Sequence, residues 1–274
     1  MKIIKKKSLG QNFLKDEEVL DKIILAGELS DEDNVLEIGP GEGALTKKLL
    51  EKVSKVVAIE KDDRLKDENN SLQKICRKSG LLQNKIKLYF EDILKVKLPD
   101  ILRENHFDRG EYKVIANIPY YITGKILRLL FQQKPLPKIV VLLVQKEVAE
   151  RIVAQNNRQS ILSLSVQYYG LVEIIDYVSK EAFDPTPKVD SAILRIRPQV
   201  DVEFNREKEK KFFQLIKVGF SSPRKKLLKN LSNGLQVDKN KLENIFRKMD
   251  LDLNVRAENL KIKEWKRLIE ELDI

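Results

Sequence analysis

The stretch Asn34-Val-Leu-Glu-Ile-Gly-Pro-Gly-Glu-Gly-Ala-Leu-Thr-Lys-Lys-Leu-Leu-Glu-Lys-Val53 decides how the first half of this chain folds. Asn34 to Ile38 is an apolar run of strand length, interrupted by Glu37. Gly39-Pro-Gly-Glu-Gly43 cannot continue a strand, because its glycines supply the backbone freedom of a sharp turn. From Ala44 to Val53 the period becomes helical, with Leu45, Leu49 and Leu50 on one face. A strand passing through a glycine turn into a helix opens a nucleotide-binding α/β sheet, where the glycines let backbone approach a ligand. Val56 to Ile59 is the next strand, and Glu60 ends it 19 positions after Gly41. A carboxylate there can accept both hydroxyl hydrogens of a ribose.

Working outward, Ile86–Phe90, Tyr112–Ala116 and Ile139–Val144 read as further strands, with helices over Thr123–Gln132 and from Lys146 onward. Such alternation predicts an α/β fold with a mostly parallel sheet covered on both faces. Ser163–Tyr169 and Ala192–Ile196 read as two more strands, bringing the sheet to seven. Phe183-Asp-Pro-Thr-Pro-Lys-Val-Asp190 is a rigid loop between them, its prolines disfavouring helix. From Asn205 the pattern is helical: Phe212, Leu215, Ile216 and Phe220 share a face, Asn233-Gly234 reads as a helix stop and Asp238 as an N-cap. A last helix over Glu264–Leu272 turns Trp265, Leu268, Ile269 and Leu272 inward. The expected division is a sheet domain over 1–199 and a small all-helical domain over 200–274.

Composition narrows the function. With 42% hydrophobic residues among 274, the chain has enough apolar material for a core and does not read as disordered. One cysteine excludes a disulfide scaffold, and Cys76 reads as a passive helix residue. No apolar run approaches bilayer-spanning length, and Met-Lys-Ile-Ile-Lys-Lys-Lys at the start does not read as a signal peptide. The expectation is a cytoplasmic protein without a membrane partner. The net charge of +10 favours an anionic partner. Residues 183–274 hold 21 basic against 15 acidic side chains, so this third carries more than half of the excess. Within it, Arg224, Lys225, Lys226 and Lys229 form a compact cluster able to neutralise several phosphates, and Lys5-Lys6-Lys7 could add to the field. His106 has no partner in sequence, and no His/Cys cluster suggests a metal.

Two cofactor classes remain open for the glycine turn. A dinucleotide would set its pyrophosphate at the helix N-terminus, where Glu42 would point a charge at it. S-adenosylmethionine carries no phosphate and has a cationic sulfonium, which Glu37 and Glu42 tolerate. Asp92, after the third strand, can accept from an adenine amino group or serve as a helix N-cap. Asn117-Ile-Pro-Tyr120 follows the fourth strand and suits amine methylation. The Asn117 side-chain oxygen and the Ile118 carbonyl can face the two N–H groups of an exocyclic amine, Pro119 holds the turn, and Tyr120 offers a stacking face.

With these residues the chain resembles the small-subunit (16S) ribosomal RNA adenine N6,N6-dimethyltransferases, the kasugamycin-sensitivity enzymes and their eukaryotic relatives. The likeness runs from Lys7-Ser-Leu-Gly-Gln-Asn-Phe-Leu14 through Glu37–Thr46, Ala58-Ile-Glu-Lys-Asp62, Asn117–Tyr120, Val144–Ile152 and Phe183–Ser191 to Arg256-Ala-Glu-Asn-Leu260 and Trp265. Glu91-Asp-Ile-Leu94 departs from the family's Gly-Asp-x-Leu at its first position. The resemblance implies a Rossmann-like class I methyltransferase fold and S-adenosylmethionine as cofactor. It implies that Asn12 and Leu14 cover the cofactor and that Gly39 and Gly41 approach its methionine part. Glu60 would hold the ribose, Asp92 the adenine, and Asn117 both cofactor and target; Phe183 would stack on a flipped base opposite Tyr120. Its implied partners are small-subunit ribosomal RNA and the partly assembled small subunit, approached by a monomer. Methylation of large-subunit RNA and a non-enzymatic assembly role are the alternatives.

Overall fold

Val35, Leu36 and Ile38 are all buried in strand β2 (Asn34–Ile38), which places it in the middle of a sheet rather than at an edge. The computed structural model describes residues 12–67, 71–77, 83–119, 122–156, 158–199 and 206–273. In it β2 pairs in parallel with β3 (Lys55–Glu60) on one side and β5 (Tyr112–Asn117) on the other. β4 (Ile86–Phe90) extends the sheet beyond β3, and β6 (Val140–Gln145) beyond β5, both in parallel. β9 (Ser191–Pro198) runs antiparallel to β6, and β7 (Gly170–Val178) forms the last edge, giving seven strands in the order β4-β3-β2-β5-β6-β9-β7. The strand order reverses between β2 and β5, so their connections diverge and a crevice opens at their C-terminal ends. Gly39 follows one of these strands and Asn117 ends the other.

Helix α1 (Glu17–Ala26) starts at Asp16, whose carboxylate accepts the Glu18 and Val19 amides at 2.9 and 3.2 Å. With α2 (Ala44–Lys52) it buries Leu20, Ile23, Leu49 and Leu50 in one core with Val35 and Val56. Each such side chain contributes roughly 1.5–3 kcal/mol by leaving water. The helices α3 (Ser71–Arg77), α4 (Leu98–Glu104), α5 (Thr123–Gln132) and α6 (Lys146–Val153) follow β3, β4, β5 and β6. Apart from the main sheet, β1 (Phe13–Leu14) pairs antiparallel with β8 (Phe183–Asp184), setting Leu14 opposite Phe183.

The segment expected as a strand at Ser163–Tyr169 is helix α7 (Ile161–Tyr169), and the seventh strand is β7 directly after it. Alternating Leu164, Val166 and Tyr168 imitates a strand, but a local device decides otherwise. Ser160 and Ser163 form a reciprocal capping box, with the Ser163 amide donating to Ser160 Oγ at 3.1 Å and the Ser160 amide to Ser163 Oγ at 2.7 Å.

The chain groups into two compact units: described residues up to Ala149 with Leu171–Pro198, and Glu150–Gly170 with described residues from Gln199 onward. The second thus recruits α7 from before the expected boundary. Its other helices are α8 (Arg206–Gly219), α9 (Leu227–Leu235), α10 (Lys239–Lys248) and α11 (Ile262–Leu272), packed on Phe212, Leu215, Leu231, Phe246, Trp265 and Leu268. Asp238 caps α10 by accepting the Asn240 and Lys241 amides at 2.9 and 3.1 Å. Asn233-Gly234 does not stop α9, which continues to Leu235 and ends on left-handed Gln236. Gly234 serves close packing instead, since a Cβ there would lie 2.4 Å from Val218 Cγ1 on α8.

Candidate active site

The turn after β2 uses three left-handed glycines, with φ of +74° at Gly39, +57° at Gly41 and +88° at Gly43. Side chains disfavour that region, and two of the three positions also lack room. A Cβ on Gly41 would lie 2.8 Å from the Phe13 ring, and one on Gly43 2.8 Å from Ile75. The Gly43 amide donates to the Pro40 carbonyl at 2.9 Å, and the Gly43 carbonyl accepts the Lys47 amide at 2.9 Å, so the turn passes straight into α2.

Glu60 ties this turn to the end of β3. Its Oε2 accepts the Gly41 amide at 3.0 Å and its Oε1 the Asp62 amide at 2.7 Å. Burial pushes the Glu60 carboxyl above its ordinary range, while the Asp62 and Gly41 amides pull it back. The Lys61 amide adds to these, and the carboxylate still has acceptor capacity for a ligand hydroxyl.

Below the turn lies a cavity of about 430 Å³. Its wall brings together the residues expected to hold the cofactor, Asn12, Leu14, Gly39, Gly41, Glu60, Asp92 and Asn117, with Ile118 and Pro119 beside them. These come from β1 and the residue before it, the β2 turn, the ends of β3 and β5, and the turn after β4. Asp92 does two local jobs: Oδ1 accepts the Leu94 amide at 3.0 Å, and Oδ2 pairs with Lys61 at 3.0 Å. Burial opposes its charge, but Lys61 and the Leu94 amide hold its carboxyl below the usual value. Asn117 is half-buried, its Nδ2 lying 3.5 Å from the Asn12 carbonyl. Among the described residues, nothing donates to its side-chain oxygen or to the Ile118 carbonyl.

Glu37 is the anomaly of the cavity wall. It is 1% exposed, in register between Ala58 on β3 and Ile115 on β5. Among the described residues, neither its carboxylate oxygens nor the buried Thr46 hydroxyl completes a hydrogen bond with good geometry, although that hydroxyl lies close enough to the carboxyl to favour its ionised form. Burial pushes its carboxyl up to about 8, with Thr46 pulling down and Glu60 pushing up.

Other predicted residues lie elsewhere. Tyr120 and Lys5-Lys6-Lys7 fall outside the described residues. Phe183 is 4% exposed, packed in the core with Leu14, Val178 and Ile193, and is not part of the cavity wall. Arg224, Lys225, Lys226 and Lys229 are all exposed, around the turn from α8 to α9 in the second unit. Asn230 shapes that turn, donating from Nδ2 to the Gly219 and Ser222 carbonyls at 2.6 and 3.0 Å.

Sequence reasoning gave no role to Phe13 or Lys61. Phe13 lies inside the quoted Asn-Phe-Leu run, but its contact with Gly41 joins residues 28 positions apart. Five carboxyl groups line the cavity (Glu37, Glu42, Glu60, Glu91 and Asp92) against Lys15 and Lys61. Lys15 is paired with Asp184 and Lys61 with Asp92. A wall with more acidic than basic side chains disfavours a pyrophosphate and suits a cationic ligand. Among the described residues, no group of His, Cys, Asp and Glu is placed to hold a metal, and no helix is long and apolar enough to cross a membrane.

Comparison with known proteins adds a family. Residues 3–273 match the model of the family described as ribosomal RNA adenine dimethylase. The chain is similar to Ribosomal RNA small subunit methyltransferase A of Fusobacterium nucleatum, 40% identical over 267 residues, covering 96% of each chain. It is also similar to the protein of that name from Dehalococcoides mccartyi, 38% identical over 264 residues, 96% of this chain and 87% of the relative. Among solved structures, a dimethyladenosine transferase from Plasmodium falciparum superposes with a TM-score of 0.79 at 29% identity, covering 95% of this chain and 97% of the other. The 23S rRNA methyltransferase ErmE, at 24% identity and a TM-score of 0.77, covering 96% and 100%, shares the fold.

Proposed function

Because this chain belongs to the ribosomal RNA adenine dimethylase family, we propose that it methylates N6 of two adjacent adenosines near the 3′ end of 16S ribosomal RNA. The product is N6,N6-dimethyladenosine, and the donor is S-adenosylmethionine. The observation that carries this reading is the meeting of the glycine turn and the Asn117 corner in one cavity wall. A Cβ placed on Gly39 would lie only 3.5 Å from the Asn117 carbonyl oxygen.

When bound, S-adenosylmethionine supplies an electrophilic methyl group on a sulfonium. Glu60 has lone pairs left for the ribose hydroxyls, and Asp92 for the adenine amino group. Asn12 and Leu14 cover the cavity from β1 and the residue before it. An exocyclic adenine nitrogen is a weak nucleophile because its lone pair is delocalised into the ring. The unoccupied Asn117 oxygen and Ile118 carbonyl accept its two N–H groups and draw it toward a tetrahedral geometry. Pro119 fixes that carbonyl, and Tyr120 supplies a stacking face for the extruded base. Phe183 joins the stack only if β8 lifts its ring out of the core. The surplus proton passes to water after transfer, so the chain's contribution is positioning. In the second round one N–H remains for the two acceptors, and the pocket takes the first methyl in place of the other.

Arg224, Lys225, Lys226 and Lys229 neutralise RNA phosphates in this reading. The protein works as a monomer in the cytoplasm on a partly assembled small subunit and contributes to its biogenesis. Mass spectrometry of ribosomal RNA from cells with and without the protein tests the proposal. Loss of dimethyladenosine from small-subunit RNA supports it. Unchanged small-subunit RNA, with a methyl group missing from the large subunit, would replace it with the large-subunit reading.

A further inference from the structure

We infer that Glu37 gives up its proton as the amino-acid end of the cofactor enters the cavity, so that binding near neutral pH releases a hydrogen ion. The inference rests on the reading of the cavity as an S-adenosylmethionine site and adds a linkage to it. Its basis is the contrast among the wall's carboxyl groups. Glu60 accepts from two backbone amides and Asp92 from an amide and a lysine. Glu37, more deeply buried than either, faces only the Thr46 hydroxyl, which completes no well-formed hydrogen bond to it among the described residues.

A carboxylate withdrawn from water without a donor is strongly disfavoured, so the group stays neutral in the ligand-free protein. Of the groups packed around it only Thr46 favours the ionised form, and burial outweighs it. β3 presents Ala58 and the like-charged Glu60, β5 presents Ile115, and α2 presents the Thr46 hydroxyl. The two lysines in the wall are already paired with Asp184 and Asp92. With burial dominating, the carboxyl titrates at about 8.

An amino-acid ammonium brings what the site lacks, a positive charge with three N–H donors. Its arrival favours the ionised form, and the unpartnered Thr46 hydroxyl can donate to the same carboxylate. The O–H bond of the Glu37 carboxyl breaks, the proton passes to buffer, and nothing is oxidised or reduced.

The test is titration calorimetry at pH 6.5 to 7 with S-adenosylhomocysteine, which keeps the amino-acid end and does not turn over, in buffers of different ionisation heat. The expected result is close to one proton released per ligand, with affinity rising about tenfold per pH unit. Methylthioadenosine, which lacks the amino-acid end, should bind with no buffer dependence. The Glu37→Gln variant should lose the dependence for S-adenosylhomocysteine as well. Binding heats that are identical in all buffers overturn the inference while leaving the cofactor reading intact. No binding in any buffer overturns the cofactor reading itself. The wild-type comparison of the two ligands decides the matter even if the variant fails to fold.

Discussion

Gly41 and Phe13 approach so closely that a methyl group does not fit between them: a Cβ built on Gly41 would sit 2.8 Å from Phe13 Cε1 and 3.0 Å from Cδ1. The same glycine has a φ of +57°. Gly41→Ala therefore adds backbone strain of about 1–2 kcal/mol to a steric conflict. We expect its cofactor affinity to fall at least tenfold. Adding Phe13→Ala removes the conflict and should recover part of the loss. Unaltered binding by Gly41→Ala in a direct titration would show that the turn does not need this glycine.

Glu60→Ala leaves the Gly41 and Asp62 amides without their acceptor. Losing the partner of a buried donor costs about 1–3 kcal/mol, so thermal unfolding should shift down and cofactor affinity should fall together. Glu60→Gln retains one acceptor oxygen and should fall between the two. If affinity drops without a change in melting temperature, Glu60 serves the ligand alone and does not brace the turn.

Asn117→Ala removes one of the two acceptors proposed to face the target amine. The expected result is a single-turnover methylation rate lower by about 10²- to 10³-fold, in line with removal of a preorganised polar group from an active site. Cofactor affinity should change only a few-fold. A rate equal to the parent's would remove Asn117 from the chemistry.

Stability should depend on pH through Glu37. Its carboxyl titrates at about 8 in the folded protein against an ordinary 4.5. Between those values the folded state holds a proton that the unfolded chain has released. The stabilisation is complete below pH 4.5 and lost as pH rises through 8, a change of a few kcal/mol. Denaturant unfolding at pH 6 and pH 8.5 should show this fall in the parent, and Glu37→Gln should flatten it. A parent curve that coincides with the variant's would mean Glu37 is already ionised when folded.

Replacing Arg224, Lys225, Lys226 and Lys229 together by alanine should weaken RNA binding and flatten its dependence on salt. Every phosphate that is no longer neutralised by one of these cations reduces the slope by about 0.7 to 0.9. Cofactor binding should be unaffected, because none of the four lines the cavity. An unchanged salt slope would make the cluster an ordinary solvated turn.

The parts of this protein that could be read from its sequence are those where one local rule acts alone. The glycine turn, the run into α2 and the buried parallel strands β2, β3, β5 and β6 each declare themselves over five to ten consecutive residues. Glu60 and Asp92 follow because strand ends are easy to locate. Reading failed where a short-range cue competed with packing. At Ser163–Tyr169 an alternating pattern was overruled by the Ser160–Ser163 capping box. Gly234 looked like a helix stop, but its missing side chain makes room for Val218. Contacts between distant segments left no local mark. Phe13 against Gly41, Lys61 on Asp92 and the unpartnered state of Glu37 emerge only once the sheet has assembled. Phe183 shows the same limit, since its burial beside Leu14 depends on β1 pairing with a strand 169 positions downstream.

That pairing also sets a schedule for synthesis. Leu14, in the cavity wall, is held by a backbone ladder whose other rail is Phe183–Asp184. A nascent chain emerging N-terminus first has Gly39, Glu60, Asp92 and Asn117 available long before that rail exists. The roof over the pocket can be fastened only after two-thirds of the polypeptide has left the ribosome, so truncated products ending before residue 183 carry the floor of the site without its clasp.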